Sequence, residues 1–254
     1  MGLPADLTRA LASAAQTPRL LVTSDFDGTL APIVPNPADA RPLPESAAAL
    51  EDLANLPSTV AALISGRDVR TLKALSGASD RVHLVGSHGS EFDTGFVHDI
   101  DDSAKALLGE INDTLREIAA EFPGVTTELK PISVALHVRN ASAADGEEAL
   151  RRAAEAARSW DAQITEGKAV REFAVIRTDK GQALDILRDE HDASAVVFLG
   201  DDVTDEKAFR RMRDGDVGVK VGPGETLAGY RVDSPDDVAA ALAYLLDARR
   251  TRVG

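Results

Sequence analysis

A chain of 254 residues with 44% hydrophobic content has enough apolar material for one large α/β domain, or for a core that carries a smaller inserted domain. A formal net charge of −14 with no offsetting basic block argues against nucleic acid or a membrane surface as partner, so an anionic ligand would have to be drawn in by local cations. The absence of cysteine excludes disulfides, thiolate catalysis and cysteine-built zinc sites.

Residues 1 to 18 read as a short amphipathic helix or frayed arm. The apolar run from Leu20 predicts a buried strand to Ser24, leading directly into Asp25-Phe26-Asp27-Gly28-Thr29-Leu30. Residues 31 to 44 hold five prolines and read as an extended loop beside that motif. A helix is expected over Glu45 to Asn55. A strand follows over Val60 to Ile64, ending in Ser65-Gly66-Arg67. Asp68 then starts a helix that stops near Gly77, and Arg81 to Val85 is a third strand running into Gly86-Ser87-His88-Gly89-Ser90-Glu91. Strands separated by helix-length segments predict a parallel sheet with right-handed crossovers, and all three strands end on one rim.

The pattern then changes. A helix from about Asp102 to Phe122 is followed by strands over Val125 to Lys130 and Ile132 to Arg139. The second alternates apolar and polar residues strictly, which predicts a half-exposed strand. A helix from Ala143 to Trp160 and two strands around a Glu166-Gly167-Lys168 turn complete an antiparallel α+β module. The expected division is a core of 1–95 and 177–254 with an insert over 96–176, hinged near Gly95 and Ile176 to Thr178. The parallel pattern resumes with a helix from Lys180 to Glu190 and the apolar strand Ala195 to Leu199. That strand ends in Gly200-Asp201-Asp202-Val203-Thr204-Asp205-Glu206. A helix from Asp205 to Asp214, a strand from Asp216 to Lys220 and a closing helix from Pro235 to Leu246 finish the chain. No apolar run is long enough to span a bilayer, and the first residues lack an export-type apolar stretch, so a cytoplasmic protein is expected.

Four places point to the common rim: Asp25 with Asp27, Ser65, Lys180, and Asp201 with Asp202. Each has a bland reading alone. Asp27-Gly28 and Ser65-Gly66 make ordinary turns, Lys180 is a solvated lysine at a helix start, and Asp201 to Glu206 is an N-cap cluster. Carboxylates two positions apart at a strand end nevertheless ask for a cation or a proton between them. Gly28 falls at the wrong position for an EF-hand loop. His83, His88 and His137 lack metal-ligand spacing and read as packing or hydrogen-bonding residues.

In order and context this set resembles the haloacid dehalogenase superfamily, which implies a Rossmannoid parallel-sheet core with an inserted α+β cap domain. By that resemblance Asp25 is the nucleophile that becomes an aspartyl phosphate, and Asp27 is the general acid and base. Ser65 and Lys180 hold phosphate oxygens, with Lys180 also restraining Asp25. Mg²⁺ sits on the Asp25 carboxylate, the Asp27 backbone carbonyl and Asp201, with Asp202 as an outer or water-mediated partner. The longer strings, including Asp25 to Ile33, Ile64 to Arg67, Gly86 to Glu91 and Gly200 to Glu206, together with Glu128, Lys130, Ser133, His137 to Arg139 and Gly167 to Glu172, are similar to the trehalose-6-phosphate phosphatase family. That similarity implies hydrolysis of trehalose 6-phosphate, the last step of trehalose biosynthesis. Glu128, Lys130 and Glu172 would bind sugar hydroxyls from a mobile cap that substrate closes, and Arg67 and Glu91 would contribute near the core. The expected partner is a small-molecule sugar phosphate, and the expected state is a monomer. A phosphatase of the same superfamily acting on sucrose or mannosyl phosphates, and a non-catalytic sugar-phosphate sensor, are the competing readings. Retention of both Asp25 and Asp27 speaks against the sensor.

Overall fold

The computed structural model of the protein describes residues 2–96, 101–167, 169–176 and 178–253. Lys168, in the expected hairpin turn, and Arg177, inside one of the expected hinges, lie outside the described residues. The chain forms two compact units, one of Met1–Gly95 with Thr178–Gly254 and the other of Phe96–Arg177.

The first unit contains α1 (Ala5–Ala15), β1 (Leu20–Ser24), α2 (Pro44–Ala54), β2 (Thr59–Ile64), α3 (Val69–Ser76), β3 (Val82–Gly86) and β4 (Glu91–Phe92), with β5 (Gly95–Phe96) at its boundary. The inserted unit holds α4 (Asp102–Glu121), β6 (Thr126–Leu129), β7 (Ser133–His137), α5 (Ala143–Ala156), β8 (Gln163–Gly167) and β9 (Val170–Ala174). The first unit then resumes with α6 (Lys180–Glu190), β10 (Ala195–Gly200), α7 (Glu206–Phe209), β11 (Val217–Val221), β12 (Tyr230–Val232) and α8 (Pro235–Val253).

The large sheet runs β12-β11-β10-β1-β2-β3-β4-β5. Its members from β12 to β3 pair in parallel, and β4 pairs antiparallel to β3. Every residue of β1 and of β10 is buried, which accounts for their uninterrupted apolar character. Leu7 and Leu11 of α1, Leu50 and Leu53 of α2, and Leu242 and Leu245 of α8 join Val22, Leu63 and Val197 in one apolar cluster on the sheet. The central strand β1 is flanked by β10 and β2, so the segments following these three strands converge at one edge of the fold.

In the inserted unit the four strands run β6-β7-β9-β8, all antiparallel. Val134, Leu136 and Phe173 pack with Ile111 and Leu115 of α4 and Ala149 and Ala153 of α5. The opposite face carries the row Glu128, Ala135, Glu172 and Thr165, set by the cross-strand register.

Three local expectations are corrected. Strand β7 is not half exposed: Ser133 and Ala135 are both 1% exposed, because they are small and sit mid-sheet among longer neighbours. The helix expected to Asp214 ends at Phe209. Beyond it the Arg188 guanidinium takes the Arg211 carbonyl and the Asp216 carboxylate takes the Arg213 amide, so neighbouring side chains claim the groups a helix would need. The closing helix continues past Leu246 to Val253, anchored by buried Arg249. Strands β4, β5 and β12 are too short for a periodic pattern to reveal.

Candidate active site

The backbone after β1 stays in register for one further residue, since the Asp25 amide donates to the Leu199 carbonyl at 2.9 Å. Phe26 then points into the apolar core, fully buried, and the alternation puts Asp25 and Asp27 on the other side. The chain turns back at once: the Gly28 amide donates to the Ala31 carbonyl, and the Ala31 amide to the Phe26 carbonyl. Gly28 has a φ of +87°, and a Cβ there would lie 2.2 Å from the Asp201 carboxylate. Only glycine fits both demands. The carboxylate it admits is also reached by the Thr29 hydroxyl at 3.3 Å.

At the end of β10, Gly200 is a second such position, because its missing side chain leaves room for the Asp205 carboxylate 2.4 Å from where a Cβ would stand. Asp205 is fully buried; one of its oxygens accepts the Asp202 amide, and the other accepts from Lys180 Nζ at 2.6 Å. Lys180 is the first residue of α6, whose N-terminus is capped by Asp179. Its ammonium, 2% exposed, also pairs with Asp25 at 2.9 Å. Lys220, at the end of β11 and likewise buried, donates to the Asp201 carbonyl and so holds the loop that carries Asp201.

One carboxylate oxygen from each of Asp25, Asp201 and Asp205 falls within a 4.8 Å cluster. Burial, reinforced by Asp205 and Asp201, raises the Asp25 carboxyl well above the usual carboxylate range despite the opposing pull of Lys180. The Asp201 carboxyl is pushed up to about 6, first by burial and then by Asp205. Burial pulls the Lys180 ammonium down, but Asp205 and Asp25 more than reverse this, so it stays charged. Three carboxylates against one paired lysine leave excess negative charge among buried oxygen donors. That donor set fits a hard divalent cation.

The other expected residues divide into those that join this centre and those that do not. Ser65, 1% exposed, lies just past β2, and its hydroxyl accepts the Arg67 amide. Arg67 forks onto both oxygens of Asp27 at 2.6 Å each. Asp202 is exposed and outside the acidic cluster, its carboxylate accepting the Val203 amide. Glu91 accepts the Val69 amide and the Ser87 hydroxyl, which ties the start of α3 to the segment after β3. In the inserted unit, Lys130 pairs with Glu172 at 3.0 Å, and the Ser133 hydroxyl donates to the other Glu172 oxygen at 2.6 Å. His137 pairs with Glu128 at 2.9 Å, so this histidine belongs to the same polar sheet face. His83 pairs with Asp93 and lies against the His191 ring at a 45° tilt, and neither histidine is a member of the acidic cluster.

Asp205 is the centre's member that sequence reasoning missed. The one local signal was a glycine closing a buried strand, Gly200, whose missing side chain makes room for that carboxylate.

The family model described as Trehalose-phosphatase matches residues 23–236. The chain is 37% identical to a trehalose-phosphate phosphatase of Mycolicibacterium paratuberculosis over 242 residues, covering 88% of this chain and 61% of that one. It is 35% identical to a trehalose-6-phosphate phosphatase of Escherichia coli over 235 residues, covering 88% of this chain and 85% of that one. The chain thus spans about three fifths of the mycobacterial relative's length and most of the Escherichia coli one's. A solved structure of the C-terminal domain of Candida albicans trehalose-6-phosphate phosphatase shares the fold, with a TM-score of 0.80 at 24% identity over 97% of this chain and 98% of that one. The family match therefore takes in β10 and the acidic residues after it as well as Asp25 and Asp27, and the chain belongs to the trehalose-phosphatase family.

Proposed function

We propose that the chain is a Mg²⁺-dependent phosphomonoesterase that converts trehalose 6-phosphate and water into trehalose and phosphate. The observation that carries this reading is the buried Asp25 carboxylate, held by Lys180 within a cluster completed by Asp201 and Asp205. A carboxylate so fixed is an oriented nucleophile, and a cation at the cluster would offset the burial that raises its proton affinity.

The phosphoryl group passes from the sugar oxygen to an Asp25 oxygen, and the departing alkoxide takes a proton from Asp27. Water then attacks phosphorus and gives its proton to Asp27. The bond to Asp25 breaks, releasing phosphate and restoring both carboxyl groups. The Ser65 hydroxyl and the Lys180 ammonium stabilise the charge on the phosphoryl oxygens. A divalent cation held by Asp25 and Asp201, with the Asp27 carbonyl, would offset repulsion between an anionic nucleophile and an anionic phosphate. Asp205 serves by holding Lys180. The polar face of the inserted sheet, with Glu172, Lys130 and Glu128, supplies charged partners for sugar hydroxyls, as a ligand with little apolar surface requires.

Phosphate release from a panel of sugar phosphates, with Mg²⁺, with EDTA and with Asp25→Asn, tests this. Turnover of trehalose 6-phosphate that needs Mg²⁺ and falls at least about a thousandfold in the variant is expected. Preferential turnover of another sugar phosphate overturns the substrate assignment, and activity surviving Asp25→Asn overturns the mechanism.

A further inference from the structure

Arg67 lies where a substrate contact was expected, yet three of its five N–H donors are engaged by the protein. Nε and Nη2 bind the two Asp27 oxygens at 2.6 Å each, and Nη2 also donates to the Pro37 carbonyl at 2.8 Å. The guanidinium sits over the Phe26 ring at 5.7 Å, and its side chain is only 14% exposed. The backbone beneath it is equally constrained. The Arg67 amide donates to Ser65 Oγ, its carbonyl accepts the Ser87 amide, and Glu91 ties Val69 to Ser87. A planar fork that grips both carboxylate oxygens fixes the plane of the carboxyl as well as its position, which a single hydrogen bond would not do.

We infer that Arg67 is the positioning residue for Asp27, joining the segment after β2 to the one after β1 so that Asp27 presents an oxygen to the attacking water and the leaving group. This rests on the reading of Asp25 as nucleophile and Asp27 as acid and base. It assigns Arg67 to the proton-transfer machinery rather than to the sugar.

Positioning and sugar contact make opposite predictions for a substrate that has no sugar. p-Nitrophenyl phosphate has a leaving group that departs without protonation, so its transfer to Asp25 proceeds without Asp27, while hydrolysis of the aspartyl phosphate still requires it. In Arg67→Met the steady-state rate on both p-nitrophenyl phosphate and trehalose 6-phosphate is expected to fall about tenfold or more, with KM for trehalose 6-phosphate changed less than about threefold. Rapid mixing with p-nitrophenyl phosphate should show a burst of p-nitrophenolate approaching one per active site, with acid-stable phosphate retained on the protein. Arg67→Lys keeps the charge without the fork and should show the same burst, so poor folding of one variant leaves the other decisive.

Unchanged p-nitrophenyl phosphate turnover with a raised KM for trehalose 6-phosphate overturns the inference in favour of sugar contact. Slow turnover without a burst, in variants that melt like the parent, overturns it in favour of a merely structural role. Asp27→Asn is the control that separates the two levels. If it gives no burst, the acid and base assignment itself fails; if it bursts and the Arg67 variants do not, only the role of Arg67 fails.

Discussion

Asp201 shows how a single carboxyl reports the balance of its surroundings. Its position against Gly28 and Thr29 is set by sterics, but its proton is held by burial and by Asp205. A carboxyl raised above its unfolded value contributes stability below that value, and loses the contribution as pH climbs through its folded value. For Asp201 that loss builds up above the ordinary carboxylate range and is complete once pH has passed about 6, and Asp25 is shifted in the same direction. The metal-free protein is therefore expected to melt at a lower temperature at about pH 7.5 than at about pH 5, with Mg²⁺ restoring the difference. Calorimetric titration near pH 6 in two buffers of different ionisation enthalpy should reveal protons released as Mg²⁺ binds. Buffer-independent heats would contradict the involvement of Asp201. The carboxylates lowered by exposed surface pairs, such as Glu121 with Arg152, act in the opposite direction but are screened by solvent.

Helix α8 is where the scale of the element matters. Its last two turns lie beyond the end expected at Leu246, yet Arg249 is fully buried there and donates to the carbonyls of Ala15, Thr17, Pro18 and Ser58 and to the Thr59 hydroxyl. One side chain thus satisfies the end of α1, the linker after it and the approach to β2. Replacing it by alanine leaves several buried carbonyls without donors as well as a cavity, and should cost about 3 kcal/mol in urea unfolding. Because these contacts involve none of the residues assigned to the chemistry, kcat is expected to stay within about twofold of the parent. A large fall in kcat with little loss of stability would show that the anchor has been misread. No hydrophobic pattern marks this role, since an arginine in a helix tail is ordinarily solvated.

Across the whole molecule, the chain interrupts a parallel-sheet unit with an antiparallel one, and each has its own apolar cluster. None of the described helices is long and apolar enough to cross a membrane. The inserted unit's polar row should govern the sugar and leave the phosphate alone. Glu172→Gln is therefore expected to raise KM for trehalose 6-phosphate about tenfold, as loss of one charge-assisted hydrogen bond would do, while p-nitrophenyl phosphate turnover stays near the parent value. Equal loss on both substrates would remove Glu172 from sugar recognition.

Much of this organisation is local and therefore written in the sequence. The run Leu20-Leu21-Val22 is apolar because β1 is buried on both faces, and the switch to alternation at Ile132 marks the change to an antiparallel sheet. Asp25, Ser65, Lys180 and Asp201 stand out because each breaks an apolar or helical pattern at its end. Their partners were not legible. Lys180 meets Asp205 across 25 positions, and Arg67 meets Asp27 across 40. Neither pair shares an element, so no periodicity links them, and several other carboxylates were equally available by residue type. Parallel pairing of β10, β1 and β2 brings the strand ends together, and Gly28 and Gly200 leave the space the two carboxylates occupy. The order of the motifs and the residue types offered at each strand end were thus determined by the sequence alone. Which acid joins the lysine, and which cation grips Asp27, were decided only by the tertiary structure, because those choices depend on how close distant strand ends come.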